Sequence, residues 1–252
     1  MKKILILIIG IFISVSLSGC SNMNERSLIK LLNEFNEEHI DEKCILINAT
    51  STLIIGPKMP NSQNRLVNIE VQIDTVDLYF SMNSNINTSE FPDIVIEARD
   101  EKLFKYTITR NSTSEEEISD KDVSDGFEEE TSEYVEEIYV PDYGKATKEN
   151  GDIFVIVVTK EDMQEKDKEK YDEFKDIFDL IDVDLITFKY EFTRNRLTFT
   201  IETSVNKDET TTEKTDFLDV INEIYGIKNV DDSWVVTQTI GFPQSITRYE
   251  ID

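Results

Sequence analysis

The chain has 252 residues, with 52 acidic side chains against 26 basic ones and a formal net charge of −26. So negative a surface repels nucleic acid and anionic lipid headgroups, and excludes both as partners recruited by charge. The composition also excludes a disordered chain, since 39% of residues are hydrophobic and 14 Phe and 9 Tyr are available to build a core.

In chain order, the first twenty residues set where the protein is expected to work. Lys2 and Lys3 precede an apolar run from Ile4 to Ile13, followed by small residues and Leu17-Ser18-Gly19-Cys20. A charged start, a short apolar run and a small-residue cleavage site make an export signal, and the run is too short to span a membrane as a stable helix. Leu17-Ser18-Gly19-Cys20 resembles the lipobox of bacterial lipoproteins. The resemblance implies that residues 1–19 are removed as a lipoprotein signal peptide and that the Cys20 thiol carries diacylglycerol. Residues 20–23 would then form a lipidated tether, and the chain would sit on the extracytoplasmic face of the cell membrane. With Cys20 lipidated, Cys44 has no disulfide partner. It opens the apolar run Cys44-Ile45-Leu46-Ile47 and reads as a buried small hydrophobe.

Residues 24–111 read as an N-terminal α+β module. Leu28, Leu31, Leu32 and Phe35 recur at helical spacing between Glu25 and Glu38. A strand is expected from Cys44 to Ile55, and Val67, Ile69, Val71 and Ile73 alternate with polar residues as a half-buried strand does. Val76, Leu78, Phe80 and Met82 continue that alternation, so Asp74-Thr75 reads as a bulge or tight bend. Two further strands, 93–99 and 103–109, are expected to pair as a hairpin through Asp100-Glu101.

Residues 112–150 carry Glu115-Glu116-Glu117 and Glu128-Glu129-Glu130 with few core-forming side chains, and read as an acidic linker or mobile loop. Ile138-Tyr139-Val140 is expected to add a short edge strand.

Residues 151–252 read as a C-terminal α+β module. The unbroken apolar run from Ile153 to Val158 predicts a strand buried on both faces and central in its sheet. A helix is expected from Asp162 to Ile181, with Tyr171, Phe174, Phe178 and Ile181 on one stripe. Strands 185–193 and 197–205 form a hairpin through Arg194-Asn195, setting Phe192 against Leu197, Tyr190 against Phe199 and Phe188 against Ile201. Thr210-Thr211-Thr212-Glu213 fits a capping box for a helix ending near Gly226, and Trp234 to Phe242 reads as a closing strand. The fold class is therefore α+β, with antiparallel sheets packed by amphipathic helices. The β-α-β-β-α-β order of the C-terminal part resembles the ferredoxin-like arrangement. Phe104-Lys105-Tyr106 with Thr109-Arg110-Asn111 recurs as Phe188-Lys189-Tyr190 with Thr193-Arg194-Asn195. The flanks do not match, so coincidence is the reading.

Little in the sequence carries chemistry. His39 is the single histidine and has no Cys or His nearby, short of what a zinc site needs. Asp120, Asp122 and Asp125 approach a calcium loop, but Gly126 and Thr131 miss the required Gly and Glu positions by one residue. No phosphate-binding loop or nucleophile elbow is present, and no cofactor is implied. The expected role is a non-catalytic binding or interaction module held to the membrane through Cys20. Three alternatives stand beside it. One is a binder of cationic peptide or metal ion. Another is a subunit of an envelope complex that uses the apolar face of the Ile153–Val158 strand. The third is a hydrolase with scattered site residues.

Overall fold

A computed structural model describes residues 23–39, 41–54, 64–118, 123–132, 138–179, 181, 183–204 and 233–249. The expected signal peptide and the helix expected between Thr210 and Gly226 lie outside the described residues. The chain forms α1 (Met23–His39), β1 (Cys44–Ile54), β2 (Asn64–Asp74), β3 (Tyr79–Ser84), β4 (Asp93–Arg99), β5 (Lys102–Thr109) and β6 (Ser112–Ile118). It continues with α2 (Val123–Ser132), β7 (Lys145–Lys148), β8 (Ile153–Thr159), α3 (Lys160–Lys166), α4 (Lys168–Phe178), β9 (Leu185–Thr193), β10 (Arg196–Ser204) and β11 (Ser233–Gly241).

All eleven described strands join one sheet in the order β6-β5-β4-β3-β2-β1-β11-β10-β9-β8-β7, and every described neighbour pair is antiparallel. This corrects the expected fold class of separate α+β sheets with a ferredoxin-like C-terminal half. The finding that overturns it is the β1–β11 seam, where Leu46 faces Gly241 and the pairing runs on to Ile54 facing Ser233. Strands whose facing residues are 179 (Ile54 and Ser233) to 195 (Leu46 and Gly241) positions apart in sequence thus lie side by side, and one sheet spans both halves of the chain.

The alternation within each strand assigns its faces. On the inner face, Ile47, Ala49, Ile69, Val71, Phe80, Ile96, Phe154, Ile156, Phe188, Phe199, Trp234 and Val236 join one continuous apolar cluster. Every described helix adds to it: α1 through Leu28, Leu32 and Phe35, α2 through Phe127, α3 through Met163, and α4 through Phe174, Ile177 and Phe178. Burying each such large side chain contributes roughly 1.5–3 kcal/mol, so the inner face supplies most of the driving force for folding. Lys105, on the inner face of β5, crosses to α2 and pairs with Glu130 at 2.9 Å.

Local chemistry explains where the elements break. The alternation through Asp74-Thr75 is a full chain reversal, because Asp74 Oδ1 accepts from both Val76 N and Asp77 N at 3.0 Å and Leu78 takes φ 47°. Asp100 and Glu101 take φ 54° and 60°, the two left-handed residues of a tight hairpin turn, as expected. The expected single helix over 162–181 is two helices. Asp167, at φ −141° and ψ 74°, ends α3 and caps α4 by accepting from Lys170 N at 3.1 Å.

Three further expectations are corrected. The β8 strand lies next to the edge strand β7, not at the sheet centre. Phe154, Ile156 and Val158 point inward, but Val155 is only half-buried and Val157 is 40% exposed. An unbroken apolar run encodes a strand but does not supply a cover for its second face. The stretch 112–150 contributes β6, α2 and β7 where a linker or loop was expected. Both edge strands of the sheet come from that region, Ser112–Ile118 and Lys145–Lys148, while Ile138 is buried without belonging to a strand.

Candidate functional site

Among the described residues no helix packs on the outer face of the sheet, which falls into two zones. At one end of the strands the C-terminal segment 242–249 crosses from β1 to β3. Gln244 O lies 4.0 Å from Cys44 Sγ, Thr247 N donates to Gln72 Oε1 at 3.0 Å, and Tyr249 N donates to Tyr79 OH at 2.6 Å. Beneath and beside it Tyr79, Val95, Tyr106 and Ile108 form a second apolar cluster, against which Ile246 and Tyr249 pack. Cys44 is buried here as expected, and its thiol is pushed up by burial first and by the nearby Asp74 carboxylate second. It is a packed thiol, not a reactive one.

Beyond this strap the outer face becomes polar, and the strand register arranges it in rows. Asn48 on β1 faces Glu70 on β2, and Glu70 faces Asn83 on β3. The β3–β4 register pairs Met82 with Ile94, so Asn83 lies beside Asp93 on β4. Directly opposed side chains on such a row have Cβ atoms about 5 Å apart. Ser81, which faces Gln72 and Val95, adjoins the row diagonally.

Asp93 is the most unusual member, a carboxylate only 5% exposed. Its Oδ1 accepts from Ser84 N at 2.8 Å and its Oδ2 from Asn87 Nδ2 at 2.7 Å. Burial raises its pKa, and those two hydrogen bonds counter the rise in part. Ser81 Oγ, Asn83 Oδ1 and Asn87 Oδ1 are buried with no hydrogen-bond partner among the described residues. Glu70 Oε1 accepts from Gln72 Nε2 at 2.6 Å.

A second polar cluster lies where residues 139–143 meet the junction of α3 and α4. Tyr139 OH donates to Asp167 Oδ2 at 2.7 Å and lies 2.8 Å from Tyr143 OH. Tyr190 OH donates to Tyr139 O at 2.6 Å. Burial is the first cause that raises all three phenols, and Tyr143 is pushed up to about 12. Every hydroxyl here is satisfied within the cluster, which suits a structural fastening better than a reacting group.

The residues singled out in the sequence fare differently. Cys20, Asp120 and Asp122 lie outside the described residues. Asp125 is exposed in the first turn of α2, and among the described residues no three His, Cys, Asp or Glu side chains gather as a metal-binding group. His39 stacks on Phe242 with ring centroids 4.2 Å apart and bonds Phe35 O through Nδ1 at 2.7 Å, so it closes the end of α1. The polar row escaped sequence reading because its members come from four strands and meet only through register. Asn83 and Asp93 flank a loop, where polar residues carry no signal of their own.

No protein-family model matches the chain, and no curated protein matches it.

Proposed function

We propose that the protein is a membrane-anchored extracytoplasmic lipoprotein that acts as a non-catalytic binding module. Leu17-Ser18-Gly19-Cys20 supports the anchor. The start of α1 follows Cys20 by three residues, a reach of roughly 10 Å when extended. Asn24 Nδ2 donates to Ala146 O at 3.0 Å, which fastens the beginning of α1 to the β7 edge. An anchor at Cys20 would therefore hold the folded part close to the membrane surface.

The observation that carries the binding role is the polar outer face across the β1–β11 seam, on which no described helix lies. There Thr237 faces Thr50 on one side and Thr200 on the other, and Thr239 faces Asn48 and Thr198 in the same way. These side chains are half-buried or exposed and polar, and together they make a broad surface for contact with a partner.

Two experiments test this reading. Membrane fractionation of Cys20→Ala is expected to move the protein into the soluble fraction, because the acyl chains supply the attachment. Retention on the membrane would reject the anchor. Crosslinking on intact cells is expected to capture a partner with the wild-type chain and to lose it with Thr237→Arg. An unchanged crosslink would remove the outer face from the binding role.

One observation favours a second reading, a binder of cationic peptide. The exposed edge strand β6 carries Glu115, Glu116 and Glu117, and its outer backbone edge pairs with no described strand. An extended basic peptide could add there as a further strand. Oligolysine affinity should then fall steeply with salt, and absence of binding at low salt would reject it.

A further inference from the structure

We propose that the outer-face row around Asn83 and Asp93 is a calcium site, with Asp93, Asn83 and Asn87 as ligands and Ser81 and Glu70 completing the shell. The inference goes beyond the binding-module reading and stands independently of the lipid anchor. A failure of either leaves the other intact.

Asp93 places a carboxylate inside the protein with only neutral hydrogen-bond donors, the Ser84 N–H and the Asn87 amide. Among the described residues it takes part in no ion pair. Buried charges are normally paired or bound to a metal. Beside Asp93, on Asn87, on Asn83 across the strand pair and on Ser81 diagonally, stand three oxygens with no partner among the described residues. Two of these are amide carbonyl oxygens, which can only accept. Ser81 itself has no exposed surface.

Acceptors gathered round a carboxylate are unfavourable unless hydrogen donors or a cation join them, and a single water brings only two hydrogens. An apolar occupant would satisfy none of the orphan oxygens, and an anion would be repelled by Asp93 and Glu70. A cation satisfies all of them at once. The donor set contains only oxygen, from carboxylate, amide and hydroxyl, with no sulfur or imidazole. That chemistry selects a hard cation over zinc or copper. The ligands come from three strands and one loop and make a shell supplied by the protein itself, which suits calcium better than magnesium, an ion that keeps several of its waters.

The test is calorimetric titration of the full chain in detergent with calcium chloride, repeated with magnesium chloride and at about 0.5 M salt, where exposed charge clusters are screened. The expected result is one saturable site for calcium with Kd of roughly 0.1–1 mM, the range of extracellular calcium modules, which survives the added salt. Asp93→Asn and Asn83→Ala should each weaken it by at least about tenfold, whereas Asp125→Asn should leave it unchanged. Should Asp93→Asn fail to fold, as judged by circular dichroism, Asn83→Ala and Ser81→Ala carry the test. No calcium binding by the folded wild-type chain would overturn the proposal. So would binding that ignores Asn83→Ala, that disappears in salt, or that magnesium matches.

Discussion

Tyr139 donates its phenolic hydrogen to Asp167 Oδ2 at 2.7 Å, while the other oxygen of the same carboxylate caps α4 through Lys170 N. One aspartate thus fixes both the break between two helices and the path of the chain entering β7. Tyr139→Phe removes a hydrogen bond to a charged group and should cost about 1–3 kcal/mol. Asp167→Ala also strips the cap and should cost more than Tyr139→Phe. Urea denaturation of the two variants and their double mutant measures both terms and their coupling.

The same cluster sets an alkaline limit. Ordinary tyrosines ionise near pH 10. Tyr139, Tyr143 and Tyr190 are all held protonated to higher pH in the fold, with Tyr143 pushed up to about 12. Between about pH 10 and pH 12 the unfolded chain therefore releases these protons first, and stability falls as pH rises. Below about pH 10 the contribution is fully present. Ultraviolet titration of phenolate should show a late class of tyrosines whose ionisation coincides with unfolding. A single step near pH 10 with the fold intact would contradict this.

Gly144 leads into β7 against the inner face of β8. A Cβ there would collide with the side chains of Ile156 and Val158 and approach Val157 O. Gly144→Ala should therefore destabilise by about 1–3 kcal/mol, as overpacking does. Thermal unfolding of this variant checks the packing of the edge strand.

Across the seam, Trp234 Nε1 donates to Ser51 Oγ at 3.0 Å, and both groups are buried. Ser51→Ala would leave the indole N–H without a partner and should cost about 1–3 kcal/mol. Ser51→Thr keeps the hydroxyl and should recover part of the loss. Equal stability of all three proteins would mean that the bond adds nothing to the seam.

How much of this was legible in sequence depended on the range of the interaction. The β9–β10 hairpin was readable to the residue: Leu197 faces Phe192, Phe199 faces Tyr190 and Ile201 faces Phe188, because a two-residue turn leaves no other register. The Asp100-Glu101 turn was readable for the same reason. Which face a strand buries was not. Phe188 and Tyr190 point into the helix-covered core, whereas Phe104 and Tyr106, in the matching tripeptide, lie on the outer face. Both copies share only a two-residue Arg-Asn turn, so the echo is turn chemistry. Asp167 gave no local sign of breaking a helix, since its partner Tyr139 is 28 residues away. The β1–β11 pairing left no trace at all, because any half-buried strand can satisfy another. The polar row of Asn83 and Asp93 inherited that blindness.

Both the proposed binding face and the proposed calcium row lie on the sheet that this pairing joins, so the seam is the place to test the account. Thr50 and Thr237 are directly opposed on the outer face. Opposed residues of an antiparallel pair have Cα atoms about 4.5–5.5 Å apart, within reach of a disulfide. Thr50→Cys with Thr237→Cys should crosslink within one chain under mild oxidation, read by mass spectrometry of the non-reduced digest. A control pairing Thr50→Cys with Thr113→Cys, on the far strand β6, should not. Failure of the Thr50–Thr237 link in folded protein, with both thiols still free, would contradict a single sheet joined through β1 and β11.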